Sequence, residues 1–188
     1  MQLVKRLIDF VMDILETVVF VGSLFIVFYL FIVAPNQVQG ASMEKTFQTH
    51  DYILTSKVSY RLDKPQTGDV IVFASLGNSE IDFVKRIIGV PGDRIKVQNE
   101  RVYRNGALLD EPYISEPTMT FQTGFLTEGE EVTVPEDYLF VLGDNRTHSS
   151  DSREFGFIPQ TNVIGKVIYR YFPVSNMGRV TNPFLNGS

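Results

Sequence analysis

The sequence predicts a mainly β protein carried on one N-terminal transmembrane helix, and two observations predict it. From Thr17 to Ala34 a run of Val, Phe, Ile and Leu carries no charge. Beyond Pro35, short runs rich in β-branched and aromatic residues alternate with turn residues. Composition agrees. Of 188 residues, 44% are hydrophobic and 21% charged, which suits an anchor plus one compact domain and excludes a disordered chain.

Residues 1–16 form a short segment in which Lys5 and Arg6 precede the apolar run, a bias that keeps an N-terminus cytoplasmic. As a helix, 17–34 reaches roughly 27 Å, close to the hydrocarbon thickness of a bilayer. A helix apolar on all sides has no face for water, so membrane insertion is expected, with Pro35 and Asn36 as the stop. A cleaved secretory leader has a shorter apolar region, on the order of 7–15 residues. Val38-Gln39-Gly40 is a poor cleavage site, and the anchor is expected to be retained.

Residues 35–172 then form an extracytoplasmic β-rich domain. Strands are expected at 52–58, 69–75, 81–88, 93–98, 101–104, 107–109, 131–134, 138–142 and 163–172. Asn105-Gly106 marks a tight reversal between two of them. The stretch 110–129, with Pro112, Pro117 and Gly124, is expected to be an irregular excursion from the sheet. The polar, Gly- and Asn-rich tail 173–188 is expected to be loosely held.

Several function classes fall away. The formal net charge is -5 with no basic stripe, so nucleic acid is not an expected partner. Absence of cysteine removes disulfides, thiol nucleophiles and Cys-based zinc sites together. The two histidines, His50 and His148, are far apart in sequence, so no metal and no cofactor is expected. Catalysis has to rely on Ser, Lys, Asp, Glu, Arg or Tyr.

Three segments carry such groups: Gly40-Ala41-Ser42-Met43 just past the anchor, Lys85-Arg86 followed by Gly89-Val90-Pro91-Gly92-Asp93, and Gly143-Asp144-Asn145-Arg146 with Ser150-Asp151-Ser152-Arg153. Each alone has a plain reading. A serine among small residues is usually a turn, a strand lysine usually points to water, and Gly-Asp-Asn usually reverses the chain. In this order they resemble the type I signal peptidases, over roughly residues 15–172. The single anchor and small size resemble the bacterial, Gram-positive members.

The resemblance implies a Ser-Lys dyad, with Ser42 as nucleophile and Lys85 as general base. A serine hydroxyl is a poor nucleophile until a nearby base takes its proton. A lysine amine can act so when apolar burial disfavours its charged form, and Phe83, Val84, Ile87 and Ile88 flank Lys85. By the same carry-over, Ser149 hydrogen-bonds and orients the lysine, Asp151 and Arg153 form a bracing charge pair, and Asp144 joins them, with Arg146 a further member. The oxyanion donors are the Ser42 N–H and a group near Gly40, whose lack of a side chain excludes a hydroxyl there.

The implied substrates are signal-peptide-bearing preproteins, cut after small residues at the outer face of the membrane, whose lipid is the other partner. They lie extended against Gln37–Ser42 and Asp82–Lys85, so Val38, Gln39, Asp82, Phe83 and Val84 are the candidate binding residues. One departure stands out. The family usually has proline two residues after the Ser-Met pair, where this chain has Lys45, and loss of proline is expected to loosen the turn. That substitution is the one support for a rival reading, a catalytically impaired relative serving as assembly or chaperone partner for exported proteins. A tethered ligand-binding β domain and a cytosolic self-cleaving repressor are the other rivals. The anchor, and the lack of a DNA-reading helix pair, argue against the repressor.

Overall fold

The computed structural model describes residues 2–77 and 81–185. A long helix, α1 (Gln2–Phe31), opens the chain; it is exposed along its length, and long and apolar enough to cross a membrane. It begins well before Thr17. Leu3, Leu7, Val11 and Ile14 recur on one helical face while Lys5, Asp9, Asp13 and Glu16 take the other, so the helix propagates through charges that end an uncharged run. It also stops earlier than expected. Val33 and Ala34 lie not in the span but in strand β1 (Val33–Gln37), because Pro35 holds Ala34 extended. Proline is tolerated in β1, which lies at the edge of its sheet.

After β1 come β2 (Tyr52–Ser56), α2 (Ser59–Leu62), β3 (Val70–Ala74), β4 (Asp82–Gly89), β5 (Arg94–Gln98), β6 (Arg101–Arg104), β7 (Ala107–Leu108), β8 (Glu131–Thr133), β9 (Tyr138–Leu142), α3 (Ser152–Phe155), β10 (Ile158–Pro159), β11 (Val163–Phe172) and β12 (Gly178–Arg179). Among the described residues the larger sheet runs β1-β2-β11-β3-β4-β9-β10, with β12 added to β11, and all its pairs are antiparallel. A second antiparallel sheet runs β7-β6-β5-β8. The β6–β7 hairpin turns at Asn105 and Gly106, with φ of 54° and 80°, the positive values such a two-residue turn requires. Residues 110–129 hold neither helix nor strand.

β3 is buried on both faces. Val70 and Val72 meet Met43, Phe47, Ile53 and Val167 on one side, while Ile71 and Phe73 meet Ile87, Leu139, Val141 and Ile158 on the other. A third cluster joins the sheets, with Ile88, Phe140 and Leu142 packed on Ile95, Val97 and Val102.

The expected loose tail is corrected over 173–185. β12 pairs with β11 at Tyr169 and Arg170, and Asn182, 8% exposed, donates to the Thr67 carbonyl at 2.9 Å and to Asp69 Oδ1 at 3.0 Å. Polar composition reads as loose, but one buried amide and one strand pairing hold this segment. Its last residues, 186–188, lie outside the described residues.

Candidate active site

β4 pairs with β3 from Asp82 to Arg86, yet with β9 only from Arg86 onward. Among the described residues, its first half therefore keeps one free edge at Asp82, Phe83, Val84 and Lys85. Asp82 is exposed, though partial loss of water around its carboxyl raises its pKa; Phe83 and Val84 are half-buried. Lys85 turns inward and is 3% exposed.

The Lys85 Nζ donates to Ser42 Oγ at 2.8 Å and to the Val84 carbonyl at 3.2 Å, and lies 5.4 Å from the Phe83 ring centroid. Burial lowers its pKa from 10.5 to about 8, although Asp151 and Asp144 push the other way.

Ser42 sits in a turn pinned by its apolar neighbours. Met43 and Phe47 are each 1% exposed in the core, and both Thr46 and Phe47 donate their N–H groups to the Met43 carbonyl. Lys45 lies in the same turn at φ 86°, a conformation closed to proline. Its Nζ donates to the Ile114 carbonyl at 2.5 Å. Loosening of this turn, the expected result of losing proline, is thus not what the structure contains: Lys45 takes a backbone shape proline cannot, and is tied down. Gly40 has φ 89° and open space around it, and neither its N–H nor that of Ser42 has a protein acceptor among the described residues.

Behind Ser42 and Lys85 lies a loop held by three buried arginine–carboxylate pairs. Arg86 grips Asp144 with two hydrogen bonds, at 2.8 and 2.6 Å, and Thr46 donates to the same carboxylate at 2.5 Å. Arg153 pairs with Asp151, which also accepts from the Gly143 N–H at 3.1 Å. Arg146 donates to Glu111 and Thr118 of the excursion, and to the Gly143 carbonyl at 3.0 Å. Such pairs, desolvated on both sides, define a geometry more than they add stability.

Most of the expected site residues converge here, with three differences. Ser149 is 5% exposed but its hydroxyl has no hydrogen-bond partner, so the implied bond to Lys85 is not formed. It faces Gly143 instead, where any added Cβ would overlap Ser149 Oγ and the Ser42 carbonyl. Asp144 braces through Arg86, not through the Asp151–Arg153 pair. Val38 is 3% exposed and packed in the core, whereas Gln39 is exposed. Arg86 belongs to the Lys-Arg motif but has no role assigned by it, and Thr46, Glu111 and Thr118 stand outside the chemical roles read from the sequence. Arg86 follows Lys85 and so points to the opposite face of β4, a hint of a second task, but Glu111 and Thr118 carry no such signal.

The family model for signal peptidase, peptidase S26, matches residues 11–172. The chain belongs to this family. It is thereby a serine endopeptidase acting on signal peptides. It is 42% identical to signal peptidase I of Bacillus caldolyticus over 77% of this chain and 82% of the relative. Against signal peptidase IB of Staphylococcus aureus strain COL it is 34% identical, over 91% and 96% of the two chains. Against a probable signal peptidase I-2 of Synechocystis the identity is 38%, over 81% of this chain and 69% of the relative. Among solved structures, a signal peptidase I from Enterococcus faecalis is 40% identical, covering 55% of this chain and 97% of that one, with a TM-score of 0.47. These signal peptidase relatives lend no support to the reading as an impaired assembly partner.

Proposed function

We propose that this signal peptidase cuts by a Ser-Lys dyad, with Ser42 as nucleophile and Lys85 as its base. The observation that carries the reading is the 2.8 Å separation of Lys85 Nζ from Ser42 Oγ, with the lysine buried and its pKa brought down to about 8. The neutral amine accepts the hydroxyl proton across that distance as Oγ attacks the scissile carbonyl. The developing oxyanion takes hydrogen bonds from the unpartnered N–H of Ser42 and from a group near Gly40. Collapse of the adduct passes the proton from Lys85 to the departing amine. Water then attacks the Ser42 ester, with Lys85 again as base, and frees the signal peptide.

The preprotein lies extended along the free edge of β4 at Asp82, Phe83 and Val84, with Gln39 across from it. Main-chain pairing then supplies affinity, and shallow pockets select small residues. Asp144, Asp151 and Arg153 position the loop behind the dyad, and Ser149 completes its lining. α1 crosses the cell membrane once, in contact with lipid, with its N-terminus cytoplasmic and the β domain outside.

The test is cleavage of a labelled preprotein in detergent or lipid by the intact chain, beside Ser42→Ala and Lys85→Ala. Cleavage after a small residue, absent from both variants, is the expected outcome. Retained cleavage in either variant removes that residue from the dyad.

A further inference from the structure

An open cavity of about 730 Å³ adjoins the nucleophile. It reaches Ala41 on one side and, on the other, Asn145, whose N–H donates to the Ser42 carbonyl at 3.0 Å. Gln39 and the free edge of β4, proposed to hold the stretch before the cut, do not line it; of the Gln37–Ser42 segment Ala41 alone does, next to the nucleophile. A chain that arrives along that edge and passes Ser42 has this hollow as its continuation.

The walls of the cavity come from three distant parts of the sequence. Glu44 and Lys45 of the nucleophile turn form one, Ser115 and Glu116 of the 110–129 excursion a second, and Asp144, Asn145, Thr147 and His148 a third. Among the described residues, the bond from Lys45 Nζ to the Ile114 carbonyl is the one hydrogen bond joining the turn 41–47 to that excursion. Lys45 is exposed and held at φ 86°, a backbone region unfavourable for a residue with a side chain. Hydrogen bonds from the Thr46 and Phe47 N–H groups to the Met43 carbonyl hold the turn from within, and the tether ties it to the excursion.

We propose that this cavity receives the polypeptide segment immediately after the scissile bond, and that Lys45 is a positioning residue that sets its width by fixing the 114–116 stretch across it. The inference rests on the signal peptidase reading and extends it to the leaving side of the substrate. It also gives the departure at Lys45 a purpose, since a proline there could neither adopt this backbone nor reach Ile114.

The experiment uses the full chain in detergent, with substrates identical up to the cut. One ends there in an aryl amide, and others continue for a few residues. In the intact chain kcat/KM is expected to rise by about tenfold as the segment beyond the cut is added. In Lys45→Met and Lys45→Gly that gain collapses, the second showing that relief of the φ cost does not replace the tether. Lys45→Arg, which keeps a cationic donor of similar reach, retains most of the gain. The proposal is overturned if all variants show the same gain, or if Lys45→Met lowers every substrate by one common factor, as a purely structural role would. Failure of the intact chain to cleave any substrate would instead remove the peptidase reading beneath it.

Discussion

Lys85 stands between opposing influences: burial strips its ammonium of water, while Asp151 and Asp144 favour the charge. Burial wins, leaving the pKa at about 8 against 10.5 when free. Below that value the amine carries a proton and cannot act as base. The acylation rate is therefore expected to climb about tenfold per pH unit on the acid limb and level off above pH of about 8. Pre-steady-state acylation measured from mildly acidic to alkaline pH checks this, and a rate that is flat across the range removes the lysine base. Gly143 is constrained for a different reason. A methyl group there would push against Ser149 Oγ and the Ser42 carbonyl, displacing the proposed nucleophile from Lys85. Gly143→Ala is expected to lower kcat by about a hundredfold. Single-turnover kinetics on a folded variant would read the loss, and near-normal turnover would show that the loop yields freely.

The elements divide the work between rigid and open. β3, buried on both faces, anchors the inner edge of β4, while the outer edge stays unpaired where substrate is proposed to lie. The tail is the less expected element. Asn182 ties it beneath Gly68, whose carbonyl accepts from Arg86 at 2.8 Å, so the tail supports the arginine that grips Asp144. Asn182→Ala is expected to cost about 1–2 kcal/mol, since the Thr67 carbonyl and Asp69 each lose a buried donor. Urea denaturation measures it, and an unchanged midpoint would make the tail a passive appendage.

On the scale of the whole molecule, the hydrophobic core of the β domain is built without the anchor. None of the three core clusters contains a residue of α1. A chain lacking residues 1–31 is expected to fold without detergent, with Tm within about 3 °C of the intact protein. Its activity on membrane-embedded preprotein is expected to fall by at least about tenfold, because the anchor supplies effective concentration rather than chemistry. Circular dichroism melts and vesicle-based cleavage test the two halves of this expectation. Aggregation of the truncated chain would mean that α1 is part of the fold.

Much of this protein is legible in its residues. The uncharged run announces the anchor, alternation and turn signals announce the strands, and Asn105-Gly106 announces the hairpin, because each depends on neighbours within a few positions. The proposal of Ser42 and Lys85 as a pair rests on their motifs in the same local way. What sequence could not supply are relations between distant residues. It could not say that Arg86 rather than Arg153 holds Asp144, that Glu111 reaches back to Arg146, or that Ser149 lacks a partner. Nor could it say that a polar tail is bound or that Lys45 reaches Ile114. Those depend on which side chains the fold brings together away from water. Burial, which lowers the pKa of Lys85, exists only once the sheets have closed around it.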